Sequence, residues 1–371
     1  MATGVTLKTS TRQMGGFAIN GRFLTQNETG VQRYAREITR ALDKILFEAG
    51  ASARILTPAA PREGLGLKAM TVDVVRPFQG HLWEQLRLPL AEDGLILNLC
   101  NTASVLGRRN ILCIHDASVF TAPESYSLAF RAFYKGLQPL ISRSALAVAT
   151  VSKDAASRIA RHLGIKVGAI TVLPNGHEHA LRWNPAASRR EKVVGRPYIL
   201  MIGSVAKHKN IARIIGLANA LDDLGLDIKV AGGSASIFTD SYQAAAPNLA
   251  FLGRVSDDDL AFLLQDAMCL AFPSISEGFG IPALEALTWG CPVVASDTTS
   301  LPEVCGNAAL FADPHDDRQW LAHFSSLHAS RDLREDLRGK GYEQAKRFSW
   351  STSAQGYHEL ALSNARSPGR Q

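Results

Sequence analysis

Phe272-Pro273-Ser274-Ile275-Ser276-Glu277-Gly278-Phe279-Gly280-Ile281-Pro282-Ala283-Leu284-Glu285-Ala286-Leu287 reads as a strand end, a loop with two glycines and the start of a helix. Proline suits the first helical turn, where its missing N–H would find no partner anyway. Gly278 and Gly280 let backbone amides come close to a ligand, and Phe279 and Ile281 extend the same run of main chain. The helix start adds unpaired N–H groups and a partial positive charge, which suits a diphosphate or sugar hydroxyls. Glu277 and Glu285 flank this seat. A carboxylate accepts hydrogen bonds from hydroxyls, often two at once from a vicinal diol. Taken singly, Glu285 would only complement the helix dipole and Glu277 would be a solvated loop residue. Both around one glycine-lined helix mouth point to a ligand.

Outward from this segment, short apolar runs alternate with helical patterns along the whole chain. Expected strands are Phe17–Asn20, Ala53–Leu56, Leu95–Cys100, Asn110–His115, Ala145–Val151 and Ile170–Leu173, then Tyr198–Ile202, Ile228–Ala231, Leu249–Leu252, Cys269–Phe272, Pro292–Ala295 and Ala309–Ala312. Runs nearly continuous in Val, Ile, Leu and Ala fit parallel strands buried on both faces. The clearest helix begins near Gly30 and aligns Val31, Tyr34, Ala35, Ile38, Ala41, Leu42 and Ile45 on one stripe. The pattern predicts an α/β protein with two Rossmann-like, doubly wound domains facing across a cleft, residues 14–185 and 196–345. The polar stretch His177–Arg196 is the expected linker, and a helix within 346–364 packs on either domain, with the N-terminal one as the expected partner.

Loops that follow strands hold the remaining candidates. Gly203-Ser204-Val205-Ala206-Lys207-His208-Lys209 follows Tyr198–Ile202, and a lysine at a strand end can neutralise a leaving diphosphate without a metal. His115 and Asp116 end Cys113-Ile114-His115-Asp116. The histidine suits a sugar hydroxyl or proton transfer, and the aspartate suits orienting it or binding an acceptor. Asn20 and Gly30 bound the first strand–helix connection, where Gly30 offers amides to a diphosphate and Asn20 is a weaker acceptor-side candidate. Gly232 and Gly233 form a weaker phosphate seat, and Asn175-Gly176 reads mainly as a turn. Asp257-Asp258-Asp259 opens a helix behind Ser256, so it reads as dipole complement rather than metal ligand. No G-x-G-x-x-G follows the first strand and no G-x-x-x-x-G-K-[ST] occurs, which argues against a dinucleotide dehydrogenase and a P-loop kinase.

The Glu277–Glu285 segment resembles the E-x7-E signature of retaining family 4 glycosyltransferases of the GT-B fold. Cys291-Pro292-Val293-Val294-Ala295-Ser296-Asp297, Leu301-Pro302-Glu303-Val304 and Asp313-Pro314 fit the same context, and the similarity covers roughly residues 14 to 360. The resemblance implies retaining hexosyl transfer, as in bacterial mannosyltransferases of polysaccharide and lipopolysaccharide assembly. It implies Glu277 beside the donor sugar, Glu285 on the ribose and His115 next to the sugar. It implies no catalytic metal and no cofactor beyond the nucleotide sugar itself. The family pairs an arginine and a lysine five residues apart. Lys209 matches the lysine, but Ser204 stands at the arginine position, so Lys207 or Arg254 is left to supply the second cation. The implied partners are a nucleotide-sugar donor, a saccharide or lipid-linked acceptor and a peripheral membrane contact, with no nucleic acid. An epimerase of the same fold and a non-catalytic carbohydrate-binding scaffold are the competing readings.

Composition agrees with a folded chain of two domains: 371 residues, 46% hydrophobic and 20% charged. The formal charge of +6 suits an anionic partner without choosing one. Five cysteines occur singly, with no C-x-x-C pair, as buried thiols of a reducing compartment do. Met1 to Gln13 lacks the apolar core of a secretory signal, and no apolar run reaches membrane-spanning length. The expected location is the cytoplasm, including the inner face of the cytoplasmic membrane. Leu128–Lys135 mixes aromatic and basic residues on an expected helix, with burial of its rings against the sheet preferred over contact with an acidic membrane.

Overall fold

The computed structural model describes residues 13–107, 109–190, 195–203, 206–232 and 246–365. Among these, thirteen strands form two sheets. The first contains β1 (Gln13–Asn20), β2 (Ala51–Thr57), β3 (Met70–Val74), β4 (Leu95–Asn98), β5 (Asn110–Cys113), β6 (Ala147–Thr150) and β7 (Ile170–Val172), in the order β3-β2-β1-β4-β5-β6-β7. The second contains β8 (Tyr198–Ile202), β9 (Asp227–Ala231), β10 (Leu249–Gly253), β11 (Cys269–Phe272), β12 (Val293–Ser296) and β13 (Ala309–Ala312), in the order β10-β9-β8-β11-β12-β13. Pairing is parallel, for example Ile19 opposite Ile55 on one side and Leu97 on the other, and Leu270 opposite Leu200 and Val293. Two parallel, doubly wound sheets are the expected fold class.

Twelve of these strands coincide with expected runs. The exception is β3, whose burial alternates poorly: Met70 is buried while Thr71, Val72 and Val74 are exposed. An edge strand that shows one face to water needs no continuous apolar run, so its sequence carries little signal.

The chain's packing groups it into two compact units. One holds the described residues up to Cys113, Leu140–Val148 and the described residues from Ala354 onward. The other holds Ile114–Pro139 and Ala149–Ser353. In the first, Ala18, Leu56, Trp83, Leu88 and Ile96 pack together, and the helix Gly30–Glu48 buries Tyr34, Ala35, Ile38, Leu42 and Leu46. Tyr34 donates through its hydroxyl to Tyr357 of the helix Trp350–Ala365 at 3.0 Å. In the second unit, Ile199, Met201, Ile228, Val230, Trp320 and Phe324 lie in one core around the six-stranded sheet. Each such side chain contributes about 1.5–3 kcal/mol of transfer free energy. All five cysteines are free thiols, with Cys113, Cys269, Cys291 and Cys305 buried and Cys100 half-buried. Burial raises the Cys291 and Cys305 thiols to about 12, so neither is a thiolate near neutrality.

Candidate active site

In the second sheet the strand order reverses between β8 and β11. Ligands of open parallel sheets bind beyond the carboxyl ends of the strands at such a switch point. The turn after β8 and the loop after β11 both emerge there. Gly203 and Gly232 have φ of 152° and 108°, and a Cβ on Gly232 would lie 2.8 Å from the Gly203 carbonyl oxygen. Only glycine lets these two turns abut. The 3-10 turn Lys207–Lys209 ends at Asn210, whose left-handed φ of 54° is held as its Nδ2 donates to the Pro314 carbonyl at 2.9 Å. The Ile275 amide donates to the His208 carbonyl at 2.8 Å and joins this turn to the loop after β11. Lys209 thereby reaches Glu277: Nζ donates to Oε1 at 2.7 Å. The two side chains keep 23% and 11% exposure, so a ligand can still reach the pair. An ammonium has three donors, and Glu277 takes one.

Glycine is required again beside Glu277. A Cβ on Gly278 would lie 2.2 Å from the His115 carbonyl oxygen and 3.1 Å from Asp116 Cβ. The His115–Asp116 segment and the glycine loop therefore touch main chain to main chain, which brings His115, Asp116 and Glu277 into one neighbourhood. His115 is buried, and Asp116 accepts from the Ser118 amide at 2.7 Å. Gly280, at φ 103°, precedes the helix Ile281–Thr288 with Pro282 in its first turn. The Ala283 and Leu284 amides already donate to the Gly280 carbonyl. The loop amides from Gly278 to Ile281 donate to no partner among the described residues. Phe279 turns inward, 4% exposed, and packs edge-on against Phe348, so it contributes its main chain rather than its ring.

Glu285 is 4% exposed, and its Oε1 lies 2.9 Å from His179 Nε2. The Trp350 indole N–H donates to His179 Nδ1 at 3.1 Å. Indole nitrogen can only donate, so Nδ1 is an acceptor and the imidazole proton sits on Nε2, aimed at Glu285. The His177–Arg196 stretch, expected as a linker, is packed at its start, with His179, Ala180 and Trp183 buried. His179 escaped the sequence reading for that reason, although a His-x-His in a polar segment was a usable signal. Gly176 is more than a turn: a Cβ there would lie 2.1 Å from the Trp350 amide.

Two further groups border the site. Tyr126 stacks on His208 with centroids 6.3 Å apart. Burial, reinforced by the Asp116 and Glu277 charges, raises the Tyr126 phenol to about 12. Burial and the Lys209 charge hold His208 below the usual histidine value. Phe130 stacks on Tyr126 and on Tyr134 in turn. The expected burial of this helix's rings does not hold: in Leu128–Ser144, Leu128 is 78% exposed and Phe130 and Phe133 are each 39% exposed. They stack along the helix surface instead of entering the sheet core.

The remaining candidates divide. Ser204 lies outside the described residues, as does Gly233. Lys207 and Arg254 are exposed. Asp259 completes a capping box with Ser256, and Asp258 and Asp259 accept from Asn184 and Ser188, the expected structural use of that acidic run. Gly30 is exposed at the start of its helix in the first unit.

Asn20, also in that unit, is committed internally. Its amide nitrogen donates to Glu84 at 2.7 Å and to Asn98 at 3.0 Å, and its oxygen accepts from the Arg22 amide. Burial opposes ionisation of Glu84, but His81, the Arg22 charge, Thr102 and Asn20 outweigh it and hold the carboxyl below the usual range. A depressed carboxyl adds stability above its unfolded pKa and loses it as pH falls through the folded value. Glu84→Gln leaves the buried Arg22 guanidinium without its counter-charge, at a cost of about 3 kcal/mol near neutrality. The gap in urea midpoint between wild type and variant is expected to narrow as pH falls from about 4.3, the ordinary glutamate value, through the lower folded value. A gap as wide at pH 3 as at pH 7 would contradict this assignment.

Fold and site together define a glycosyltransferase of the GT-B architecture. The family model described as "Glycosyl transferases group 1" matches residues 186–344. The chain is 32% identical over 260 residues to O-antigen chain mannosyltransferase B of Escherichia coli, covering 65% of this chain and 67% of that protein. It is 28% identical over 231 residues to O-antigen chain mannosyltransferase RfbU of Salmonella typhimurium, covering 61% and 62%. In structure it is similar to WaaG, a glycosyltransferase involved in lipopolysaccharide biosynthesis, with TM-score 0.72, 16% identity and coverage of 93% and 99%. The chain belongs to the group 1 glycosyltransferase family.

Proposed function

We propose that the chain transfers a mannosyl group, with retention, from a nucleoside diphosphate sugar to a saccharide or lipid-linked acceptor of a cell-surface polysaccharide. The observation that carries this is the Lys209–Glu277 pair at 2.7 Å beside a glycine-lined helix mouth. The mannosyl assignment leans on the similarity to the two O-antigen chain mannosyltransferases. Lys209 and the Gly278–Ile281 amides neutralise the leaving diphosphate, so no metal is required of this site. Glu277 and His115 hold the sugar hydroxyls. Glu285, fixed by His179, receives the ribose diol. The bond from the anomeric carbon to the diphosphate oxygen breaks, and the acceptor oxygen bonds to that carbon from the same face. Its proton passes to the departing phosphate.

The test is a thermal-shift screen of uridine, guanosine and adenosine diphosphates and their sugars, since a ligand of the native state raises the melting temperature. Transfer to a mannoside acceptor follows, with the product's anomeric configuration read by NMR and EDTA as a control. An inverted product, or loss of rate in EDTA, contradicts the mechanism. Isomerised sugar nucleotide formed without acceptor replaces transfer with epimerisation, and failure to bind any nucleotide sugar leaves only a scaffold.

We also place the enzyme at the cytoplasmic face of the membrane. The described residues contain no helix long and apolar enough to cross a membrane. Exposed Leu128, Phe130 and Phe133 beside Arg131 and Lys135 suit peripheral attachment to anionic lipid. Flotation with phosphatidylglycerol vesicles but not phosphatidylcholine vesicles is expected. Equal recovery from both in the soluble fraction would overturn it.

A further inference from the structure

We infer that Arg158 is a positioning residue that sets the direction of the Glu277 carboxylate, an inference resting on the transferase reading above. Arg158 lies on the helix Lys153–Leu163 and keeps 13% side-chain exposure. Its NH1 donates to Ser276 Oγ at 3.0 Å, and its NH2 donates to the Glu277 carbonyl. NH2 also forms an ion pair with Asp154 one turn earlier at 2.6 Å, which keeps a counter-charge beside the guanidinium. A planar fork can bridge two acceptors in fixed geometry, where an ammonium serves as a point charge.

Three consecutive loop residues are thus gripped from one helix. Arg158 holds Ser276 and Glu277, and Ser152, the N-cap of the same helix, donates through Oγ to the Gly278 carbonyl at 2.7 Å. The helix is in turn anchored by Glu303, whose carboxylate accepts from the Lys153 amide at 2.9 and 3.0 Å and from the Asp154 amide at 3.3 Å. Glu303 stands just after Thr299 and Ser300, which close the ring. The Glu277 amide donates to Thr299 Oγ1 at 3.3 Å, and Ser300 Oγ donates to the Phe279 carbonyl at 2.9 Å. With its amide and its carbonyl both tied, Glu277 has little main-chain freedom, and its side chain is directed to Lys209. Arg158 is the member of this ring that contacts Glu277 from outside its own loop and the Thr299–Ser300 turn.

The test compares Arg158→Ala and Arg158→Lys with wild type, in both the native and the Glu277→Ala background. The donor is whichever of UDP-glucose, GDP-mannose and ADP-glucose gives the largest thermal shift. Arg158→Ala is expected to lower kcat about 20–100-fold, the scale of a misplaced catalytic group. Donor KM should change less than about threefold, and Arg158→Lys should recover only part of the loss. In the Glu277→Ala background the further effect of Arg158→Ala is expected to fall below about threefold, because residues acting through one another do not add. An undiminished effect in that background, or wild-type kcat for folded Arg158→Ala, overturns the inference. Should Arg158→Ala fail to fold, Arg158→Lys and Ser276→Ala carry the same comparison. Failure of the transferase reading looks different: Glu277→Ala itself would then act like wild type.

Discussion

Lys209→Ala and Glu277→Ala are each expected to cut kcat by two to three orders of magnitude while leaving the melting temperature within a few degrees of wild type. Removing one group that stabilises developing charge costs about 2.7–4 kcal/mol, or about 10²–10³ in rate. In the proposed mechanism Lys209 is such a group. It projects from the turn after β8 at the switch point, held there by Asn210 and by the Ile275–His208 bond. Glu277 fixes the ammonium at 2.7 Å, so each substitution also disorders the other partner. The double variant should therefore fall short of the product of the single losses. Stability is little affected because both side chains lie partly in water, where an ion pair contributes about 0–1 kcal/mol. Steady-state transfer kinetics together with thermal melts check both halves. Wild-type turnover in either folded variant would remove the pair from the chemistry.

Gly278→Ala should be nearly as damaging, for a steric reason alone. Its Cβ would sit 2.2 Å from the His115 carbonyl oxygen, and the Gly278 carbonyl is already held by Ser152 at 2.7 Å. The His115 carbonyl is main chain and cannot swing aside, so the loop and the His115–Asp116 segment must part by most of an ångström. Overpacking of this kind costs about 1–3 kcal/mol, and a displacement of that size at a reacting centre costs about 10²-fold in rate. Gly339→Ala is the matched control, since nothing lies within 4 Å of the added carbon in the helix Arg331–Ala345. It is expected to leave activity unchanged. Equal activity of the two variants would mean that the contact between Gly278 and His115 is dispensable.

What the sequence disclosed follows from how local each signal is. The strand, glycine loop and helix around Glu277 lie within 16 consecutive residues, and propensity and capping rules act on that scale. The buried strands of both sheets were legible because burial on two faces forces unbroken apolar runs. Contacts between distant segments were not. Arg158 sits in Lys-Asp-Ala-Ala-Ser-Arg, which reads as an ordinary solvated helix face until the fold sets it against Ser276, 118 positions away. Asn20 looked available at a strand end, yet Glu84 and Asn98 use both its amide hydrogens. For Leu128–Ser144, composition alone left burial and exposure as alternatives, and the exposed rings show that a helix can stack its aromatics on one another.

The indole that directs His179 toward Glu285 belongs to Trp350, the first residue of the helix Trp350–Ala365. In the proposed mechanism the ribose-binding carboxylate therefore depends on a residue of the helix Trp350–Ala365. A chain cut short ahead of that tryptophan would retain every strand of both sheets, yet leave the imidazole free to flip its tautomer and turn from the carboxylate. Under that reading a change at Trp350 acts on the donor site, remote as it is in sequence.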